Sequence, residues 1–325
     1  LIGAAADMSN TQPTSQNLSD SRDCPDTPDQ PMLERIATRD GQIGTGLMIR
    51  RALPNPQRRM IGAWCFLDHI GPRDYGRGQG IAVGPHPHIG LQTFTWMIEG
   101  EMMHRDSLGY AQVIRPGQVN IMTAGRGISH AEDAVNDDPG HLHAAQLWIA
   151  LPDAERHRAP AFDHHPELPV VEDGGFRVTV LAGAAYGQTS PARVYSPLLG
   201  LDLRCTDAAE IAIPLNPDFE HGVLVLSGTA TVLGEPLAPG TLLYLGTGRA
   251  TLAVLADAAC QLLLIGGEPF DETVLLWWNF VGRDPADIAK ATDDWNAGRG
   301  FGAVSGSPSP RLTAPDLAGL QLKAR

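Results

Sequence analysis

The sequence predicts an all-β protein of two small antiparallel barrels with a short helix near the end. Three observations carry that expectation. Short apolar runs follow one another from Leu33, each bounded by Gly or Pro; the chain's 36 glycines and 26 prolines among 325 residues fall largely between them, where turns between strands need them. A pattern of strand, glycine turn, strand, Pro-Gly turn, strand occurs twice, once in LQTFTWMIEGEMMHRDSLGY with VIRPGQVNIMTAG and again in HGVLVLSGTATVLGEPLAPGTLLYLG. A hydrophobic content of 43% supplies two cores of ordinary size.

In chain order, residues 1–31 are polar and Pro-containing, with almost no large apolar side chains, and read as a disordered tail. Residues 32–152 hold the first barrel: LERIATRD, TGLMIRRAL, RMIGAWCFLDHIGP, the strands of the repeat, and HLHAAQLWIALP as the closing strand. Residues 153–172, polar and broken by prolines, read as a linker in which His164 and His165 are solvated. Residues 173–270 hold the second barrel. In the final segment, 271–325, Asp284 is placed as N-cap and Pro285 at the first helical position, ADIAKATDDW forms the helix, and Gly298 stops it. The Pro- and Ser-rich stretch after FGAVSG reads as mobile, with LAGLQLKAR adding a short amphipathic turn.

The chemistry concentrates between Gly80 and Asp133. His86 and His88 lie two apart, as do His130 and Glu132. Residues i and i+2 of a strand share a face, so each pair forms a pincer that can converge on one ion. Three imidazoles and a carboxylate suit a divalent transition metal and leave room for water or substrate, unlike a closed four-thiolate site. The residues alone leave iron, manganese, nickel, copper and zinc open.

Other polar groups read more plainly. His141 and His143 repeat the H-x-H spacing at a strand entrance and read as satisfied polar residues, with a supporting role at the pocket left open for His143. His104 with Asp106, and Asp68 with His69, read as turn and strand-end hydrogen bonding. His221 stands alone in the second barrel, which is therefore expected to be metal-free. Cys24, Cys65, Cys205 and Cys260 are scattered and form no C-x-x-C pair, which suggests reduced thiols in a cytoplasmic protein. The net charge of −13 without a dense basic block argues against direct nucleic-acid binding, and no apolar run is long enough to span a bilayer. There is no G-x-S-x-G elbow, phosphate loop or Rossmann fingerprint.

The spacing G-x5-H-x-H from Gly80 to His88 resembles the first cupin motif, but Gln92 or Thr93 stands where that motif has its glutamate. That departure, together with PHPHIG, EGEMMHRDSLG, MTAGRGISHAE, QLWIALP, FLDHIGP and the closing GRGFG, makes the chain from about Leu33 to Gly300 resemble the pirin family. The resemblance implies a bicupin with two jelly-roll barrels and a C-terminal segment returning to the first domain. It implies iron(II) held by His86, His88, His130 and Glu132. Two functions follow as expectations. One is a quercetin 2,3-dioxygenase type of oxidoreductase, a quercetinase that opens a small aromatic polyphenol with dioxygen, with Glu132 as catalytic base as well as ligand. The alternative is a non-enzymatic iron- or redox-responsive regulator that binds a protein partner. A wide pocket walled by Phe94, Trp96, Met122 and Trp148 would favour the enzyme; an exposed apolar patch outside a narrow pocket would favour the regulator.

Overall fold

A computed structural model describes residues 18–21, 25–26, 30–44 and 46–317. Short strands dominate, as the Gly- and Pro-punctuated sequence requires, and they assemble into two barrels, each a seven-stranded sheet facing a four-stranded one. In the first barrel the strands Leu91–Glu99, Gly140–Ala150, Trp64–Tyr75 and Leu47–Leu53 run side by side in the larger sheet. The smaller sheet places Ile128–Asp133 between Ala82–His88 and Met102–Asp106, with Ala111–Ile114 outermost.

The two larger sheets lie against each other. Leu67, Phe94, Trp96, Ile98 and Leu147 from the first barrel share one buried cluster with Leu181, Leu224, Leu263 and Ile265 from the second. The strand Leu91–Glu99 is therefore covered on both faces: its even-numbered aromatics enter this shared core, while Met97 faces the interior of its own barrel.

Three expectations about the connecting segments change. The polar residues 153–172 are not a free linker: Ala161–His165 pairs with Val119–Thr123, and Val170–Asp173 pairs with Phe176–Ala182, so each barrel takes an edge strand from it. His164 accordingly contacts the Asn120 side chain, Nδ1 to Oδ1, at 2.7 Å. At the N-terminus, Leu18–Asp20 pairs with Leu275–Trp277, and Pro31–Ala37 completes the sheet of the second barrel beside Thr241–Gly246. A short chain with few apolar side chains still finds backbone partners at an open sheet edge. The rest of the expected N-terminal tail lies outside the described residues.

The helix spans Pro285–Asn296, with Asp284 accepting the N–H groups of Ala286 and Asp287 at 2.8 and 2.9 Å. Gly298, at φ +71°, follows its last turn. Ile288, Ala291 and Trp295 bury one helix face against Trp277, Phe280 and Phe301, and the Val281 N–H reaches the Ile89 carbonyl of the first barrel at 3.1 Å.

Beyond the helix the Pro- and Ser-rich stretch is an ordered strap over the outer face of the smaller sheet. The Leu312 N–H donates to the Pro85 carbonyl (2.9 Å), Ser129 Oγ donates to the Gly302 carbonyl (3.0 Å), and Ser309 Oγ donates to Asp133 Oδ1 (2.8 Å). Gly84 permits the approach, because a Cβ there would sit 1.8 Å from the Pro310 carbonyl oxygen. Most of LAGLQLKAR lies outside the described residues. Among the described residues no helix is long and apolar enough to cross a membrane.

Candidate metal centre

Antiparallel pairing sets His130 opposite His86 and Ile128 opposite His88. One step further the register slips: Glu132 faces Val83, so the first strand carries an extra residue between Val83 and His86. The histidines at 86, 88 and 130 still point into the barrel, and their ligand nitrogens all lie within 4.8 Å of one another. All three rings are buried, at 3%, 1% and 1% exposure.

The hydrogen bonds around the rings fix which nitrogen faces inwards. His86 Nδ1 donates to the Gly84 carbonyl at 2.8 Å and His88 Nδ1 donates to the Asn279 carbonyl at 2.9 Å, since a carbonyl can only accept. The lone pairs therefore sit on Nε2. His88 Nε2 and His130 Nε2 are 3.0 Å apart, close enough for one cation to be shared between them. A proton does not serve well, because burial lowers the affinity of all three rings for it. His86 is drawn down to about 4, and His88 and His130 are lowered further from the ordinary value by burial and then by their neighbouring histidines. Neutral, convergent and second-side-bonded imidazoles are the form a divalent metal takes.

Glu132 is 8% exposed and lines the same cavity, but falls outside the group whose ligand atoms are all within 4.8 Å. Burial, and secondarily the Asp133 charge, pushes its carboxyl up to about 7.

The cavity in front of these groups is small, about 30 Å³. Its apolar side carries Phe66 and Trp148, stacked at 4.1 Å between ring centroids and 13° between planes, with Ile70, Val83 and Met102. Of the four expected walls only Trp148 is present. Phe94 and Trp96 point into the core between the barrels, where the Trp96 indole donates to Asp202 at 3.1 Å, and Met122 packs beneath the site with Phe162. Opposite the histidines is an ion pair that residue types alone did not suggest. Arg51 grips Asp68 through Nε and Nη2 at 2.8 and 2.7 Å, both buried, with the guanidinium 4.5 Å over the Phe66 ring.

His104 and Asp106 are more than turn hydrogen bonds. Asp106 Oδ1 does accept the N–H groups of Leu108 and Tyr110 (2.9 and 3.1 Å), but His104 also reaches His130, Nδ1 to Nδ1, at 3.4 Å. Residue order gave no signal of this, because it is strand pairing that sets His104 directly opposite Glu132. His143 is not at the pocket: it meets His69, Nε2 to Nε2, at 2.9 Å on the other face of the sheet. His141 sits between two carboxylates near the surface, Asp74 (2.7 Å) and Glu99 (2.9 Å).

In the second barrel His221 is fully buried, with no side-chain hydrogen bond to either ring nitrogen. The thiols of Cys205 and Cys260 face each other across neighbouring strands at 3.5 Å, and burial pushes Cys260 up to about 12. Cys65 is a buried thiol; Cys24 lies outside the described residues.

Comparison with known proteins agrees with this architecture. The sequence pattern of the Pirin family matches residues 46–149, and that of the pirin C-terminal cupin domain matches residues 200–302. A Pseudomonas aeruginosa protein that carries the provisional name quercetin 2,3-dioxygenase is 53% identical over 311 residues, 95% of this chain and 98% of its own. The chain belongs to the pirin family. Human pirin is 28% identical over 82% of this chain and 92% of its own. Among solved structures, a quercetin 2,3-dioxygenase from Acinetobacter baumannii superimposes with a TM-score of 0.86 at 51% identity, covering 88% of this pirin and 96% of that chain. The two matched spans fall on the two barrels, and the first contains the whole histidine cluster.

Proposed function

We propose that this pirin is a metal-dependent dioxygenase that opens the ring of flavonols of the quercetin type, with iron(II) held by His86, His88, His130 and Glu132. The observation that carries the reading is the meeting, in one buried cavity, of three convergent imidazoles with a carboxyl. The names of the relatives at 53% and 51% identity support it.

A bound divalent metal would supply positive charge that acidifies and orients a substrate hydroxyl. Glu132, a carboxylate on the same cavity, would take the proton of the flavonol 3-hydroxyl that the metal's charge has acidified. The stacked Phe66 and Trp148 offer a flat apolar wall, and Ile70, Val83 and Met102 exclude water from the reacting ring.

A cavity of about 30 Å³ has room for one or two waters, whereas ligand pockets run from roughly 300 Å³ upwards. Substrate entry therefore requires a wall to move. Among the described residues lining the cavity, Ile43 alone is not buried, and it marks the way in.

The test is aerobic turnover of a flavonol panel by iron-loaded protein, with oxygen uptake and product masses recorded. A ring-opened ester plus carbon monoxide is expected, and Glu132→Gln should lose more turnover than its loss of metal explains. No oxygen uptake by fully loaded protein across a broad panel sinks the enzymatic reading and leaves the metal site.

The narrowness of the cavity favours a second reading, a metal- or redox-responsive regulator. Leu108 and Tyr110, 43% and 49% exposed, lie on the hairpin turn whose backbone holds Asp106. That reading expects no turnover and a change in protein-partner binding when the iron is oxidised.

A further inference from the structure

Behind His130, away from the cavity, a line of buried polar contacts continues through two side chains outside the ligand set. His130 Nδ1 lies 3.4 Å from His104 Nδ1, and His104 Nε2 lies 3.2 Å from Asp106 Oδ2. Asp106, 2% exposed, is held through its other oxygen by the N–H groups of Leu108 and Tyr110. His104, 3% exposed, lies flat on Phe162 with 4.3 Å between centroids and 11° between planes, so its ring is not free to turn.

The carboxylate gives the line its direction. An ionised carboxylate only accepts, so His104 carries its hydrogen on Nε2 and offers a lone pair from Nδ1. His130 must then donate from Nδ1, which leaves its Nε2 lone pair facing His86 and His88. The other two rings end on the neutral carbonyls of Gly84 and Asn279. Among the three, only His130 is backed by a full negative charge.

We propose that His104 and Asp106 are positioning residues for the metal: they hold His130 in its Nε2-donating tautomer and pass anionic character to it, so setting the affinity and the reduction potential of the bound ion. This rests on His86, His88 and His130 being ligands. The role differs from turn capping, and one substitution separates the two. Asp106→Asn keeps an oxygen for the N–H groups of Leu108 and Tyr110, but its amide meets His104 Nε2–H as donor against donor. His104 can answer only by changing tautomer, which sets its Nδ1–H against that of His130.

The experiment measures cobalt(II) affinity by chelator competition, the cobalt(II) absorption spectrum, and the iron(III)/iron(II) potential by redox titration, on wild type, Asp106→Asn and Asp74→Asn. Asp74 is a surface carboxylate in a comparable His contact. Asp106→Asn should weaken affinity about 10- to 100-fold, alter the spectrum, and raise the potential, because the anion favouring the more highly charged iron(III) is gone; Asp74→Asn should change none of these. If Asp106→Asn does not fold, His104→Phe keeps the stack on Phe162, removes only the polar contacts, and should give the same shifts. Affinity within twofold of wild type and an unchanged potential in either folded variant overturns the inference. A wild type that binds no metal overturns the ligand assignment itself, and the inference with it.

Discussion

The two barrels share a construction and differ in what points inwards. The second is filled by Val178, Leu201, Val223, Val225, Leu243, Leu262 and their neighbours, and His221 is an isolated imidazole there. The first turns Arg51, Asp68, three histidines, Glu132 and Gln146 onto one small cavity. An apolar interior needs only packing, whereas each buried polar group needs a partner or costs about 1–3 kcal/mol. The first barrel supplies those partners: Asp68 for Arg51, Thr95 Oγ for Gln146 Oε1 at 2.8 Å, and backbone carbonyls or His104 for the imidazoles. The polar cavity of this pirin therefore sits where neighbouring strands meet polar requirements.

The largest expected effect breaks the comparison outright. Metal analysis of His86→Ala/His88→Ala should fall from about one ion per chain to near zero, with the far-ultraviolet spectrum of a β protein retained, because the inter-barrel core and the second barrel are untouched. Undiminished stoichiometry would place the metal elsewhere.

Next in size is Asp68→Ala. It leaves the Arg51 guanidinium buried beside Phe66 without its carboxylate, and breaking one side of a buried ion pair costs about 3–5 kcal/mol. Denaturant unfolding of the metal-free protein measures this. A loss under about 1 kcal/mol would mean that other groups or solvent compensate the Arg51 charge when Asp68 is gone.

How far this site was legible depends on the range of each contact. His86 with His88, and His130 with Glu132, follow from the two-residue period within a strand, and the helix follows from Asp284, Pro285 and Gly298. Contacts between strands depend on register, which residue order does not show: His104 is brought beside His130 by the pairing of Met102–Asp106 with Ile128–Asp133, and Arg51 meets Asp68 across the strands Leu47–Leu53 and Trp64–Tyr75. Phe94 and Trp96 were misplaced for another reason. A strand buried on both faces loses the alternation that tells one face from the other. The strap at 301–312 was hidden because long-range contacts hold it in place, two of the three ending on backbone carbonyls, and composition says little about those.

The smallest effect sharpens the comparison from the second barrel's side. His221 has no side-chain hydrogen bond to lose and only a weak backbone contact at Phe219, so His221→Leu should leave metal content unchanged and alter stability at pH 7 by no more than about 1 kcal/mol. The pH dependence is the stronger signature. Burial drives the folded-state value of His221 down to about 4, against a smaller opposing pull from the Phe219 backbone, while the unfolded chain titrates near 6.5. Between those values the unfolded state binds the extra proton, so wild-type stability, intact above about 6.5, is lost as pH falls towards 4. The leucine variant lacks that loss, and the other histidines contribute equally to both proteins and cancel. The variant should therefore gain on wild type as acid is added, by at most about 1.4 kcal/mol per pH unit. A difference that stays flat from pH 7 to pH 4 would mean that His221 is solvated in the folded state, and a fall in bound metal would make the second barrel a ligand site after all.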